Sequence, residues 1–310
     1  MASDKLPVIE RIWEVLAAEG QDRMTVYFAD VVEAIEHCNK LDGKNRSAKN
    51  PANFMKDLIR SDNASANWPD SLKKRCMGGR QRVGLNRVFE FQPYASCQTE
   101  PFPNIHMPKP GLEPHVIQSL SLPLASKALG RRDESWLVQV AVMLNVLEHH
   151  FSRCSALDVK ELVHLQTGVK LSNSEVDGLF RAIVEESGER THVLVTCEAK
   201  QQGERILEHQ VVDQIGAAYK SVKKSVPEEE LAISLIVPVA IKAIPPEGDI
   251  YVVEFHPWTP VEAEAEESAM KDLTVASEGL YRLRPPVPGV GFKPKRSPAR
   301  RSVRAGPSAT

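Results

Sequence analysis

Apolar positions along this chain change their period several times, and the changes divide it into segments. In Leu6–Glu19, the residues Ile9, Ile12, Trp13 and Leu16 recur at spacings of three and four, which predicts an amphipathic helix stopped by Gly20. Ala29–Cys38 repeats the pattern with Val31, Val32, Ile35 and Cys38. Asn50–Arg60 predicts a third helix, with Asn50 as its cap and Pro51 in its first turn. Arg80–Phe91 reads as a basic loop running into a strand. Residues 93–134 lose periodicity and are rich in proline, so they read as a linker or an extended surface segment. Ser135–Ser152 is apolar around most of its surface and predicts one long buried helix, followed by a shorter helix-like stretch over Leu157–Gln166.

Beyond that point the period drops to that of strands. Leu179–Val184 and Val193–Cys197 are apolar runs joined by the polar turn Glu185–Arg190, which predicts an antiparallel hairpin. Asp177 stands at the start of the first run, and Glu198 and Lys200 end the second. Side chains alternate faces along a strand, so Glu198 and Lys200 share a face and Ala199 takes the other. A carboxylate and an ammonium at the end of an apolar strand are costly to desolvate, which singles them out as functional candidates. Glu204–Tyr219 then predicts an amphipathic helix with Gln210 and Gln214 on one face. Leu231–Ile241 and Asp249–His256 predict further apolar strands. The class expected is α/β, a mixed central sheet flanked by helices.

An Asp near the start of one strand, Glu-x-Lys on its hairpin partner, then a helix and another apolar strand resembles the PD-(D/E)xK nuclease superfamily, of restriction-endonuclease-like fold. The resemblance covers roughly residues 135–258, with the motif Asp177 … Glu198-Ala199-Lys200. One departure is Val176, where the family carries a proline. The resemblance implies that Asp177, Glu198 and the Ala199 carbonyl bind Mg²⁺, for which Mn²⁺ can substitute, and that Lys200 acts on the attacking water. It also implies a helical acid, for which Glu148 and Glu161 compete, and a Gln near the site, matched by Gln210 and Gln214. A homodimer follows by analogy, since such enzymes cut both strands.

Three short helices followed by a strand pair is similarly the order of a winged helix-turn-helix domain. The third helix then presents Asn50, Asn53, Lys56 and Arg60, and Arg80, Arg82 and Arg87 form the wing along the phosphate backbone. The organisation expected is a winged-helix-like DNA-binding unit over 1–94, a Pro-rich linker over 95–134, a nuclease-like core over 135–284 and a disordered basic tail over 285–310.

Charge agrees with a polyanionic partner. The net charge is only −2, yet residues 37–89 hold 12 Lys/Arg against 4 Asp/Glu, and residues 279–310 hold 8 Lys/Arg and no acid. Five scattered cysteines without a C-x-x-C pair argue against a zinc ribbon or a disulfide framework and for a reducing cytoplasm. No apolar run approaches the ~20 residues of a membrane span, so no membrane partner is expected. Neither G-x-G-x-x-G nor G-x-S-x-G is present, which disfavours a Rossmann-like nucleotide enzyme and a serine hydrolase. The function expected is Mg²⁺-dependent cleavage of double-stranded DNA in restriction or phage defence. The alternatives are a repair or transposon-associated nuclease, or a non-catalytic DNA-binding regulator in which Glu198 and Lys200 form a surface salt bridge at a strand end and Asp177 is a turn residue.

Overall fold

The structure, a computed structural model, describes residues 4–18, 24–60, 63–82, 86–94, 99–170, 175–227, 231–265 and 273–291. The first part of the chain builds α1 (Leu6–Ala18), β1 (Thr25–Tyr27), α2 (Phe28–Asp42), α3 (Pro51–Arg60), α4 (Asp70–Lys73), β2 (Met77–Gln81) and β3 (Arg87–Pro93). Ile9, Ile12 and Leu16 are buried on α1, as their spacing requires, and the expected stop at Gly20 lies outside the described residues. Gly43 closes α2 at φ 68°, a left-handed conformation that costs glycine little. The three strands pair antiparallel in the order β1-β3-β2, so the strand expected near Arg80–Phe91 is half of a hairpin. Trp68 anchors this unit against Phe89, Phe91 and Phe102 and donates its indole N–H to the Met77 carbonyl at 2.7 Å. Trp68→Ala is expected to cost about 3–5 kcal/mol, through the cavity and the lost hydrogen bond, read as a lower urea midpoint.

The stretch expected to be a linker is not merely one. It holds β4 (Pro114–Gln118) and α5 (Leu124–Leu129), and β4 pairs in parallel with a later strand. Its proline content masks a short edge strand, the one sheet position that tolerates Pro at the start.

The second part carries α6 (Glu134–Met143), α7 (Val146–Arg153), β5 (Val159–Lys170), β6 (Glu175–Glu186), β7 (Glu189–Lys200), α8 (Glu208–Ser225), β8 (Ile233–Ile244), β9 (Asp249–Phe255), α9 (Pro260–Glu264) and β10 (Val275–Arg284). The single helix expected over 135–152 is two: Asn145 adopts φ 52°, which breaks the run between α6 and α7. The helix-like stretch at Leu157–Gln166 is strand β5, and Glu161 is exposed on it, paired with Arg181. Half-apolar edge strands and amphipathic helices are hard to separate over so few residues, and pairing with β6 decides the case.

Seven strands form one mixed sheet in the order β4-β10-β9-β8-β7-β6-β5. β5, β6 and β7 make an antiparallel meander, and β8 returns parallel to β7 after the α8 crossover. Ser187 and Gly188 connect β6 to β7, both at positive φ, the backbone a tight two-residue hairpin needs. From Val193 on, β7 is buried on both faces. Val193, Val195, Cys197 and Ala199 pack toward α6 and α7, while Leu194 packs toward Val211, Ile215 and Ala218 of α8. The chain after β10 stays on the fold through Val287 and Val290, which are buried, and the Pro288 carbonyl, which accepts the Trp136 indole N–H. Residues 292–310 of the expected tail lie outside the described residues. Among the described residues no helix is long and apolar enough to cross a membrane.

Candidate active site

The β6–β7 ladder ends at Gly178↔Cys197, one residue short of Asp177 and of Glu198. Gly178 itself leaves room for α6: a Cβ there would stand 3.2 Å from the Val138 side chain. With the ladder finished, the Asp177 carboxylate turns to the Ala199 N–H and accepts it at 2.8 Å. Glu198 and Lys200 point to the α8 face and form an ion pair, 3% and 0% exposed as residues. Gln214 of α8 donates its amide both to the Glu198 carboxylate and, at 3.0 Å, to the Glu175 carbonyl. Four of the expected residues, Asp177, Glu198, Lys200 and Gln214, therefore meet where β6, β7 and α8 converge.

Burial, reinforced by the adjacent Glu198 carboxylate, pushes the Asp177 carboxyl up to about 8, against the opposing pull of the Ala199 N–H and the Lys200 ammonium. Glu134, at the start of α6, adds to that rise and so lies within electrostatic reach. It was not among the expected residues. The signal was the sequence Asp133-Glu134-Ser135-Trp136, in which Asp133 caps α6 by accepting the Trp136 N–H at 2.8 Å. Gln201, directly after Lys200, ties β7 to this helix start by donating to the Asp133 carbonyl at 2.8 Å.

The other expected residues are placed differently. Glu148 lies on α7, where burial raises its carboxyl and its Oε2 has no hydrogen-bond partner among the described residues. Gln210 sits one turn before Gln214 on α8 with its buried Oε1 likewise without a partner. In the first unit, Asn50 spends its carbonyl oxygen on capping, accepting the Asn53 N–H at 3.1 Å, while Asn53 is exposed on α3. Lys56 and Arg87 are half-buried, and the Arg60 side chain lies outside the described residues. Arg80 and Arg82 both pair with Glu90, at 3.3 Å for Arg80, so a carboxylate already holds the two expected wing arginines.

The donor set suits a hard divalent cation. Two carboxylates, Asp177 and Glu198, flank the Ala199 backbone, and the raised Asp177 carboxyl marks a site short of positive charge. The Gln214 Oε1 is buried with no donor among the described residues, and a water bound to such a cation would provide one. Among the described residues no group of three or more His, Cys, Asp or Glu side chains gathers as a metal site, so a cation here would rest on two side chains, a carbonyl and waters.

No family description, no curated protein and no solved structure matches this chain.

Proposed function

We propose that the chain is a metal-dependent DNA endonuclease of PD-(D/E)xK type, acting in restriction or phage defence. The observation that carries this reading is the convergence of Asp177, Glu198, Lys200 and Gln214 at one end of the β6–β7 hairpin. The order of elements supports it: helices α6 and α7, the β5-β6-β7 meander, the α8 crossover and a parallel β8 follow the succession expected of a restriction-endonuclease-like core. For the first unit, helices followed by a β2–β3 hairpin, with β1 completing the sheet, support a winged-helix-like reader. In this reading Asn53 of α3 is the exposed position aimed at DNA, and two copies acting together cut both strands.

Asp177, Glu198 and the Ala199 carbonyl would hold Mg²⁺, and the chemistry it would supply is the lowered pKa of a bound water and neutralisation of charge on the scissile phosphate. The chain's own groups do the rest. Gln214 fixes the Glu198 carboxylate so that one oxygen keeps a set direction. Lys200, with no hydrogen-bond partner among the described residues besides its ion-pair contact, can turn its ammonium to the phosphate oxygens as charge develops there. Asp177 is the half-buried member and Glu198 and Lys200 are buried, so substrate approaches from the Asp177 side.

A non-catalytic DNA-binding protein is the second reading; the Glu198–Lys200 ion pair is closed, as that reading needs, but it is buried rather than at the surface. Methylated and unmethylated plasmid and phage DNA incubated with Mg²⁺ or with EDTA separate the two. Discrete Mg²⁺-dependent fragments are expected; binding without cutting in every metal and methylation condition selects the second reading.

A further inference from the structure

The mechanism above leaves one cluster of titratable side chains unused, on the face of the sheet opposite Glu198 and Lys200. His150 and Cys154 are four residues apart at the end of α7, so they lie on one side of it. His150 and Glu254 are buried, and Glu254 of β9 points the same way as Ile250 and Val252, which pack with Leu147 and Phe151 of α7. Ser277 of β10 is in register with Glu254 and donates its hydroxyl to that carboxylate at 2.6 Å. Ser155 donates to the other carboxylate oxygen at 2.8 Å. Having given its only proton to Glu254, the Ser277 oxygen accepts from His150 Nε2 at 2.9 Å. The other ring nitrogen, Nδ1, lies 3.1 Å from the Tyr281 hydroxyl, which lies 3.6 Å from the Cys154 sulfur. Gly279 leaves the space for this: a Cβ there would stand 2.7 Å from the Tyr281 hydroxyl and 3.1 Å from His150 Nδ1.

The contacts form one directed chain from Cys154 through Tyr281, His150 and Ser277 to Glu254. If the thiol proton passes to the Tyr281 oxygen and the Tyr281 proton to Nδ1, the result is a thiolate and an imidazolium. Every donor in the chain still faces an acceptor in that state, and the Glu254 carboxylate balances the imidazolium. Hydrogen bonding to His150 holds the Cys154 thiol below its ordinary value, against burial, with Tyr281 and the charges of His150 and Arg153 adding to it. Burial opposes a charged His150, yet Cys154 and Glu254 raise it above its ordinary value. The end of α7 favours the imidazolium and disfavours the thiolate, and the exposed Arg153 offsets the second effect. His115 of β4, its ring 5.8 Å from that of Tyr281, is pushed down by burial and by the charges of Arg153 and His150, so it stands beside the cluster in its neutral form. Cys154 itself is half-buried, between exposed Arg153 and half-buried Ser155, and so is within reach of small reagents.

We propose that Cys154, backed by Tyr281, His150 and Glu254, is a reactive-thiol site that small electrophiles and hydrogen peroxide modify in preference to the more exposed Cys76. With hydrogen peroxide, the Cys154 sulfur forms a bond to one peroxide oxygen and the O–O bond breaks. Sulfur gives up two electrons and becomes a sulfenic acid, and the departing hydroxide takes the proton held on His150 and leaves as water. The site is separate from the candidate metal site, so it stands whether or not the chain cuts DNA.

Brief treatment of the whole chain with iodoacetamide from about pH 5.5 to about pH 9, followed by mass spectrometry of each cysteine peptide, tests this. An ordinary thiol is only about 1% thiolate at about pH 6.5. Cys154 is expected to react there at least about tenfold faster than Cys76, with its half-maximal rate well below the usual ~8.5. Hydrogen peroxide followed by dimedone, which captures sulfenic acids, is expected to label Cys154 ahead of Cys76. Tyr281→Phe keeps the ring but breaks the chain, and is expected to move the Cys154 profile upward in pH. Glu254→Gln removes the balancing charge and is expected to move it the same way, and it serves if Tyr281→Phe does not fold. A Cys154 rate no greater than that of Cys76 at about pH 6.5 overturns the proposal, a comparison within wild type that needs no variant. Profiles in both variants that superimpose on wild type overturn it as well, since the groups behind the sulfur would then do nothing for it.

Discussion

Lys200→Met is expected to abolish Mg²⁺-dependent cleavage, by about 10³-fold or more, while DNA binding persists. Methionine is the substitution to choose because Lys200 is wholly buried and alanine would leave a cavity beside Glu198. The cost in stability is real as well. Removing the ammonium strips the buried Glu198 carboxylate of its ion-pair partner, a loss that typically destabilises by about 3–5 kcal/mol. A double variant, Glu198→Gln with Lys200→Met, removes both charges and is expected to recover much of that loss without recovering cleavage. Cleavage rates, filter binding and urea unfolding on the same preparations test this. Equal cutting by wild type and Lys200→Met would place the chemistry elsewhere.

Asp177→Asn is expected to make the metal-free protein more stable, and only at neutral and alkaline pH. The Asp177 carboxyl moves from 3.8 up to about 8 on folding, because burial and the Glu198 charge disfavour its ionised form. An acid with a raised folded value carries no penalty below its unfolded value. The penalty accumulates as pH rises from about 4 to about 8 and is constant above. Asparagine keeps an oxygen for the Ala199 N–H and has no charge to bury. The variant should therefore match wild type near pH 4 and exceed it by about 2–4 kcal/mol at pH 8 in EDTA. Mg²⁺ is expected to raise the melting temperature of wild type at pH 8 and to leave Asp177→Asn unmoved. A stability difference that stays flat from pH 4 to 8 would mean that Asp177 ionises freely in the fold. It would also remove the charge deficit that recommends a cation there.

The hairpin at the centre of the fold was legible in the sequence because its signals are local. Apolar runs of strand length, a polar turn ending in Ser187-Gly188 and charges at the far ends define β6 and β7 without reference to any other segment. The amphipathic helices α1, α2, α3 and α8 were legible for the same reason, since a spacing of three and four needs no partner to be recognised. Asp177, Glu198, Lys200 and Gln214 came with those elements. Where the pattern was ambiguous, pairing decided. β5 carries a mixed face that a helix could also have used, and only its register with β6 makes it a strand. β4 and β10 lie amid prolines and charges and become strands by adding to the sheet edge beside β9.

What the sequence determined by itself was the set of charged residues at the end of one hairpin and the class of fold able to hold them. Tertiary structure decided their company. It placed Glu134 near Asp177 and left Glu148 on another helix, because a single left-handed residue, Asn145, ends α6 and starts α7 in a new direction. It closed Arg80 and Arg82 onto Glu90, a cross-strand pairing that depends on register. It also set Lys242 beside Lys200, a neighbour 42 residues away in sequence that exists only because β8 returns parallel to β7. Local periodicity is written in consecutive residues, whereas proximity between strands depends on how a crossover helix brings the chain back.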